Sequence, residues 1–107
     1  MIQKGDVWWV NFSPSIGGEI HKIRPAVVVS NNAFNKIMNR VQVVPICSST
    51  EKCYPCEAYV DINGKTNKAM ADQLATVSKL RIKTKIGTLS KKNLLDLERA
   101  IKIQLDL

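Results

Sequence analysis

No stretch of this 107-residue chain approaches the ~20 consecutive apolar residues of a membrane-spanning helix. Residues 1–6 lead straight into a strand-like run with no signal-peptide hydrophobic region, so the expected location is the cytoplasm. Histidine occurs once, at His21, so there is no His/Asp cluster for a metal, and no G-x-x-x-x-G-K-S/T loop is present. Metal catalysis and nucleotide hydrolysis lose their support, and no cofactor is expected. The cysteines, Cys47, Cys53 and Cys56, are odd in number and confined to one region, which is a poor basis for a secreted disulfide framework. Cys53 and Cys56 have the C-x-x-C spacing of redox and zinc sites. A closed zinc site needs four ligands, however, and His21 would complete a set only if its loop folded over. Two reduced thiols beside a turn are the simpler reading. Internal repeats and low-complexity tracts are also absent.

What is present is a globular composition, 45% hydrophobic and 23% charged, sized for a single domain spanning residues 1–107. The 16 Lys plus Arg outnumber the 9 Asp plus Glu, giving a formal charge of +7 that favours encounter with a polyanion. Nucleic acid and an acidic protein partner both fit.

Residues 6–12, rich in aromatic and β-branched types and stopped by Ser13-Pro14, read as a first strand. Residues 26–30 form a continuous apolar run suited to a strand buried on both faces. Between them lies a loop containing Gly17-Gly18, long enough in so small a protein to suggest function. A short helical or irregular connection is expected over residues 33–39. A strand over residues 40–46 follows, in which Pro45 demands a bulge or an edge. Residues 57–62 alternate cleanly into Asn63-Gly64, a tight-turn signal, and residues 69–77 suggest a further buried strand. Residues 78–86 fit either a strand with one basic face or a helical turn through residues 78–81. Ser90 is an N-cap candidate for an amphipathic helix with Leu94, Leu97, Ile101 and Leu105 at helical spacing. Short strands followed by one helix predict an antiparallel α+β or small-barrel design.

Chemistry has few candidates. Glu19, His21, Lys22 and Arg24 form a polar group on the long loop, and Ser48, Ser49 and Thr50 form a second just past the strand ending at Ile46. RNA can be cleaved without a metal because its 2′-hydroxyl is a built-in nucleophile. The protein must then assist removal of the 2′ proton, protonate the leaving 5′ oxygen and hold the charge on the phosphorus oxygens. Arginine suits the last task, since its planar fork grips phosphate and stays charged. Pro25 restricts Arg24 to extended backbone, and the valines that follow anchor it. Glu19 and His21 are alternative bases. Trp8 and Trp9 offer aromatic faces for base stacking but point to opposite sides of a strand, which puts one in the core.

These residues fall in an ordered set: Gly5-Asp6-Val7-Trp8, Asn11-Phe12-Ser13-Pro14, Gly18-Glu19, the run from Arg24 through Pro25 to Ser30, Val44-Pro45-Ile46, Ala71-Asp72-Gln73-Leu74, the run from Lys85 to Leu89, and the terminal helix. In that order the chain resembles, from end to end, the MazF/PemK-type toxins of bacterial toxin–antitoxin systems. The resemblance implies an SH3-like barrel ending in a helix, a homodimer, and sequence-selective cleavage of single-stranded RNA to a 2′,3′-cyclic phosphate without a metal. It also implies an antitoxin whose acidic, disordered segment occupies the RNA groove, and a helical turn at residues 78–81. The family's arginine before proline falls on Arg24 and its loop glutamate on Glu19. Its threonine falls on Cys47, a weaker donor, so that either the thiol serves or Ser48 or Ser49 supplies the bond. The histidine that some members place directly before the arginine is Ile23 here, leaving His21 displaced. Lys22 and Ser49 are read with His21 as substrate contacts, Gln73 as an RNA or loop contact, and Asp72 as structural. Cys47 also leaves open a non-catalytic RNA-binding or gyrase-targeting toxin on the same fold.

Overall fold

Valines fill both faces of the first two strands, because β1 (Asp6–Asn11) and β2 (Ile23–Val28) lie inside a sheet and not at its rim. The computed structural model describes residues 1–14, 16–19 and 22–107. There the chain continues through α1 (Asn32–Ile37), β3 (Arg40–Cys47), β4 (Glu57–Ile62), β5 (Lys65–Met70), β6 (Ala75–Ser78), β7 (Ile82–Thr88) and α2 (Lys91–Leu105). The strands pair antiparallel in the order β4-β5-β3-β2-β1-β7, with β6 also on β3, forming a curled half-barrel that carries the terminal helix. The barrel-like sheet with one terminal helix agrees with the sequence.

β3 organises the sheet. One of its edges pairs with β2, while the other pairs first with β6, over Arg40–Val43, and then with β5, at Ile46 and Cys47. Pro45 sits at the change of partner. Gln42 directs its backbone toward β2, where its carbonyl accepts from the Val29 N–H at 2.9 Å. Three residues on, strand alternation points the Pro45 nitrogen to the opposite side, between the ends of the β6 and β5 ladders. The missing N–H therefore costs no ladder bond, and Pro45 has the edge it requires inside a central strand.

Each face of the sheet buries its own cluster. Val7, Val27, Val44 and Ile46 pack with Val60 and Ala69 beneath Leu97 and Ala100 of α2. Val10, Ala26, Val28, Val41 and Val43 pack on the other face with Phe12 and Val77, joined by the half-buried Trp8 and Ile82. Trp8 is thus the inward tryptophan, while Trp9 stays 42% exposed. Helix α2 starts where Ser90 Oγ accepts the Asn93 N–H at 3.1 Å, as its N-cap role requires. Asn93 Oδ1 in turn accepts the Asp61 N–H at 2.8 Å and ties the helix to β4.

Two local readings change and one open alternative is settled. Strand β2 begins at Ile23, so Arg24 belongs to the sheet and not to the loop; Pro25 stands opposite Trp9. The expected strand over residues 69–77 is interrupted by a single 3-10 turn, Ala71–Gln73, that separates β5 from β6. This turn lets consecutive segments pair with different stretches of β3. Residues 78–81 resolve as the helical alternative, a 3-10 turn over Lys79–Arg81 capped by Ser78 Oγ, after which β7 begins.

Leu97 is fully buried against the sheet. Leu97→Ala is expected to lower the free energy of unfolding by about 2–5 kcal/mol, from lost burial plus the cavity left behind. Urea denaturation checks this, and a loss under 1 kcal/mol would contradict the packing of α2 described above.

Candidate functional site

Arg24 lies on β2 opposite Val10 of β1, half-buried, with its side chain on the face of Ala26 and Val28. The β2–β3 register sets Ala26 against Pro45; continued two residues, it brings Arg24 level with Cys47, the last residue of β3. Cys47 pairs across its other edge with Lys68 of β5, and Lys68 with Tyr59 of β4. Directly paired residues in antiparallel strands share a face. Arg24, Cys47, Lys68 and Tyr59 therefore form a polar row across four neighbouring strands, on the face opposite α2.

A groove of about 420 Å³ opens beside the 12–22 loop, lined among others by Phe12, Glu19, Asp72, Gln73 and Arg81. Glu19 closes a local turn: its Oε1 accepts the Ile16 N–H at 2.7 Å while its own N–H donates to the Ile16 carbonyl at 3.2 Å. Gln73 Nε2 donates to the Gly18 carbonyl at 3.5 Å, which the 3-10 turn makes possible by lifting it out of the ladder. Lys22 takes a left-handed φ of +67° and donates its N–H to Ser13 Oγ at 3.0 Å. Its carbonyl accepts from the Phe12 N–H at 2.9 Å, so the two ends of the loop are fastened at its neck. The Lys22 side chain is exposed. His21 lies outside the described residues.

Ser48 and Ser49 are exposed at the start of the 48–56 loop, and the Cys47 thiol donates to the Ser49 carbonyl at 3.7 Å. The loop is held over the sheet by the polar row. Tyr59 Oη donates to the Thr50 carbonyl at 2.8 Å, and Lys68 Nζ donates to the Lys52 carbonyl at 2.9 Å. Glu57 accepts the Tyr54 N–H at 2.9 Å on one oxygen and lies 3.4 Å from Lys68 Nζ with the other. Burial works against the Lys68 charge, but the Glu57 carboxylate outweighs it by attraction and hydrogen bonding, so the ammonium pKa is raised above 10.5. Cys56 is also raised, by burial first and then by Asp72 and Glu57, which disfavours its thiolate. Among the described residues, no three His, Cys, Asp or Glu side chains are grouped as a metal set.

The structure thus divides the expected residues between two parts. Arg24, Cys47, Ser48 and Ser49 belong to the strand row and its loop, and Glu19 and Gln73 to the groove. Two further residues escape a reading from sequence. Arg81 donates from Nη1 to the Asn11 carbonyl at 3.0 Å and also to the Ser13 carbonyl, holding the end of β1 against the groove. Nothing in the basic run from Lys79 to Lys85 distinguishes it. Lys68 sits just before the apolar residues expected to begin a strand; only the hairpin set by Asn63-Gly64 signals that it faces Tyr59.

The raised pKa of Lys68 fixes a sign. Its contribution to stability is complete below the unfolded value near 10.5 and is lost as pH rises through the higher folded value. Urea midpoints measured from pH 8 to above 11 should show an alkaline fall in the wild type that is smaller in Lys68→Met. Identical alkaline slopes would contradict the pairing.

Comparison with known proteins agrees with this architecture. A family described as the PemK-like, MazF-like toxins of type II toxin–antitoxin systems matches residues 3–105. The chain is 35% identical over 118 residues to endoribonuclease MazF9 of Mycobacterium tuberculosis, covering 100% of this chain and 98% of that protein. The crystal structure of MazF from Deinococcus radiodurans superposes with a TM-score of 0.88 at 24% identity, covering 99% of this chain and 97% of that one. An endoribonuclease from a mycobacterial species, solved in complex with its cognate antitoxin, shares the fold with a TM-score of 0.84 at 20% identity, covering 100% and 97%. With a family match spanning nearly its whole length, and a 35% identical relative covered end to end, the chain belongs to the PemK/MazF-like toxins of type II toxin–antitoxin systems.

Proposed function

We propose that the protein is a cytoplasmic endoribonuclease, the toxin of a toxin–antitoxin pair, that cuts single-stranded RNA selectively and without a metal. The observation that carries this reading is the β2–β3 register, which continued past Ala26 and Pro45 brings Arg24 and Cys47 to one level on neighbouring strands; Glu19, Gln73 and Arg81 line a groove that neither of the two enters. In the proposed reaction the RNA 2′-hydroxyl attacks the adjacent phosphorus, the bond to the 5′ oxygen breaks, and a 2′,3′-cyclic phosphate remains. Arg24 holds the phosphorus oxygens as their charge grows. Cys47, or Ser48 or Ser49 from the adjoining loop, supplies the hydrogen bond to phosphate or leaving group that the family's threonine provides. Glu19 and His21 are the candidate proton acceptors, while Lys22 and Gln73 contact the strand of RNA.

The charge of +7 favours RNA and an acidic antitoxin segment alike, so the antitoxin is proposed to block the same groove. The active form is proposed to be a homodimer. Among the described residues no helix is long and apolar enough to cross a membrane, and no membrane partner is proposed.

One observation favours a second reading. A thiol stands where a hydroxyl is expected, and it donates to a backbone carbonyl of its own loop. A toxin that binds RNA without cutting it, or that acts on gyrase, would fit that substitution.

Purified protein is expected to cut a long single-stranded RNA in the presence of EDTA and leave cyclic phosphate ends. No cleavage at high enzyme concentration would remove the nuclease reading in favour of the second.

Arg24→Ala should lower the cleavage rate by roughly 100-fold or more while circular dichroism stays unchanged; near wild-type activity would refute its role. Cys47→Thr should preserve or raise activity. Ser48→Ala/Ser49→Ala should lower it only if a serine has replaced the threonine. A folded but inactive Cys47→Thr would show that the thiol is not at the reacting phosphate in the manner proposed.

A further inference from the structure

We propose that Lys68 is a positioning residue for RNA cleavage: from beneath the 48–56 loop it sets the backbone that follows Cys47, without itself touching the substrate. The inference rests on the cleavage reading above and extends it to a residue with no expected part in the chemistry.

Lys68 is unusual in three respects. Its Cα partner is Cys47, and both side chains share the face that carries Arg24. It is 9% exposed, yet it is a lysine, a residue that is seldom buried without a partner. Its ammonium is also committed, to the Lys52 carbonyl at 2.9 Å and to Glu57 Oε2 at 3.4 Å. A cation meant to grip phosphate would keep its donors toward solvent. This one directs them into the loop.

The remaining anchors act on the same segment. Glu57 takes the Tyr54 N–H with its second oxygen, and Tyr59, the neighbour of Lys68 across β4, takes the Thr50 carbonyl. Backbone groups at residues 50, 52 and 54 are thus tied to one patch of the β4–β5 hairpin. The segment between that patch and Cys47 is short, and it holds Ser48, Ser49 and the carbonyl that accepts the Cys47 thiol proton. With both ends of the segment fixed, its donors stay near one geometry. In a site that works by prior alignment, a shift of about 1 Å can cost roughly 100-fold in rate. A buried ion pair is a weak source of net stability, because desolvation offsets its attraction, so fixing one loop geometry is the better account of why it is present.

The test uses the full chain and an RNA oligonucleotide that spans a cut site mapped on a long transcript. Lys68→Met alone leaves Glu57 buried without its cation, so Lys68→Met/Glu57→Gln removes both charges together. Tyr59→Phe, at an exposed position, removes a different anchor with little risk to the fold. Folded double variant is expected to lose roughly 10- to 100-fold in kcat with KM within about threefold, Tyr59→Phe to lose less, and Lys68→Arg to recover much of the rate. Trypsin should cut after Lys52 roughly tenfold faster in the double variant, because the carbonyl there is no longer held. The dependence of KM on salt should not change, since no phosphate contact is removed.

A folded double variant with kcat within twofold of an active wild type, or with unchanged cutting at Lys52, overturns the proposal. A salt slope reduced by about one also overturns it, by making Lys68 a phosphate ligand. A wild type that cuts no RNA overturns the cleavage reading itself and the catalytic role of Lys68 with it; the failure of Lys68 alone appears only against an active wild type.

Discussion

The pairing of β3 is the constraint on which the site depends. One edge of the strand pairs with β2, and the other is shared by β6 and β5. That division bends the sheet into a half-barrel and leaves a place for Pro45 where no ladder bond is needed. It also carries the last residue of the strand, Cys47, out between Arg24 of β2 and Lys68 of β5. If β3 slipped by one residue, every side chain on it would exchange faces. Val44 and Ile46 would leave the cluster under α2, so the cost of displacing a core holds the register of the site.

The two loops that border the site are governed by one device, a basic side chain that donates to backbone carbonyls. Arg81 holds Asn11 and Ser13 where the first loop leaves β1, and Lys68 holds Lys52 in the second. A loop outside a sheet has carbonyls without ladder partners, and a cation that satisfies them both orders the backbone and neutralises part of its own desolvation cost. Much of the site's basic character therefore serves its architecture.

Local elements were legible in the chain because short-range chemistry encodes them. Asn63-Gly64 adopts left-handed φ values of +51° and +80°, as a tight hairpin requires, and Ser90 caps α2 through its own hydroxyl. Arg24 stood out as a candidate phosphate ligand from its residue type and from Pro25, though it was assigned to the loop when it stands in β2. The interruption at Ala71–Gln73 was passed over although Asp72-Gln73 breaks the apolar run of residues 69–77, because a polar pair inside a strand-like segment does not by itself signal a break; the break arises from β3 offering two separate stretches of edge. Arg81 and Lys68 were hidden among other basic residues, because what sets them apart is a carbonyl supplied by a distant segment.

What could be read from the chain alone was the segments of β1, β3 and β4, where the hairpin turns, where the last helix begins, and which family the ordered motifs resemble. Each of these depends on residues close together in the chain or on their linear order. The tertiary structure decided that Arg24, Cys47 and Lys68 stand in one row, and that Lys68 serves the loop over that row. Those relations join segments 16 or more positions apart, and they are set by ladder register and by the burial of valines on the opposite face. No local preference at Arg24, Cys47 or Lys68 encodes them.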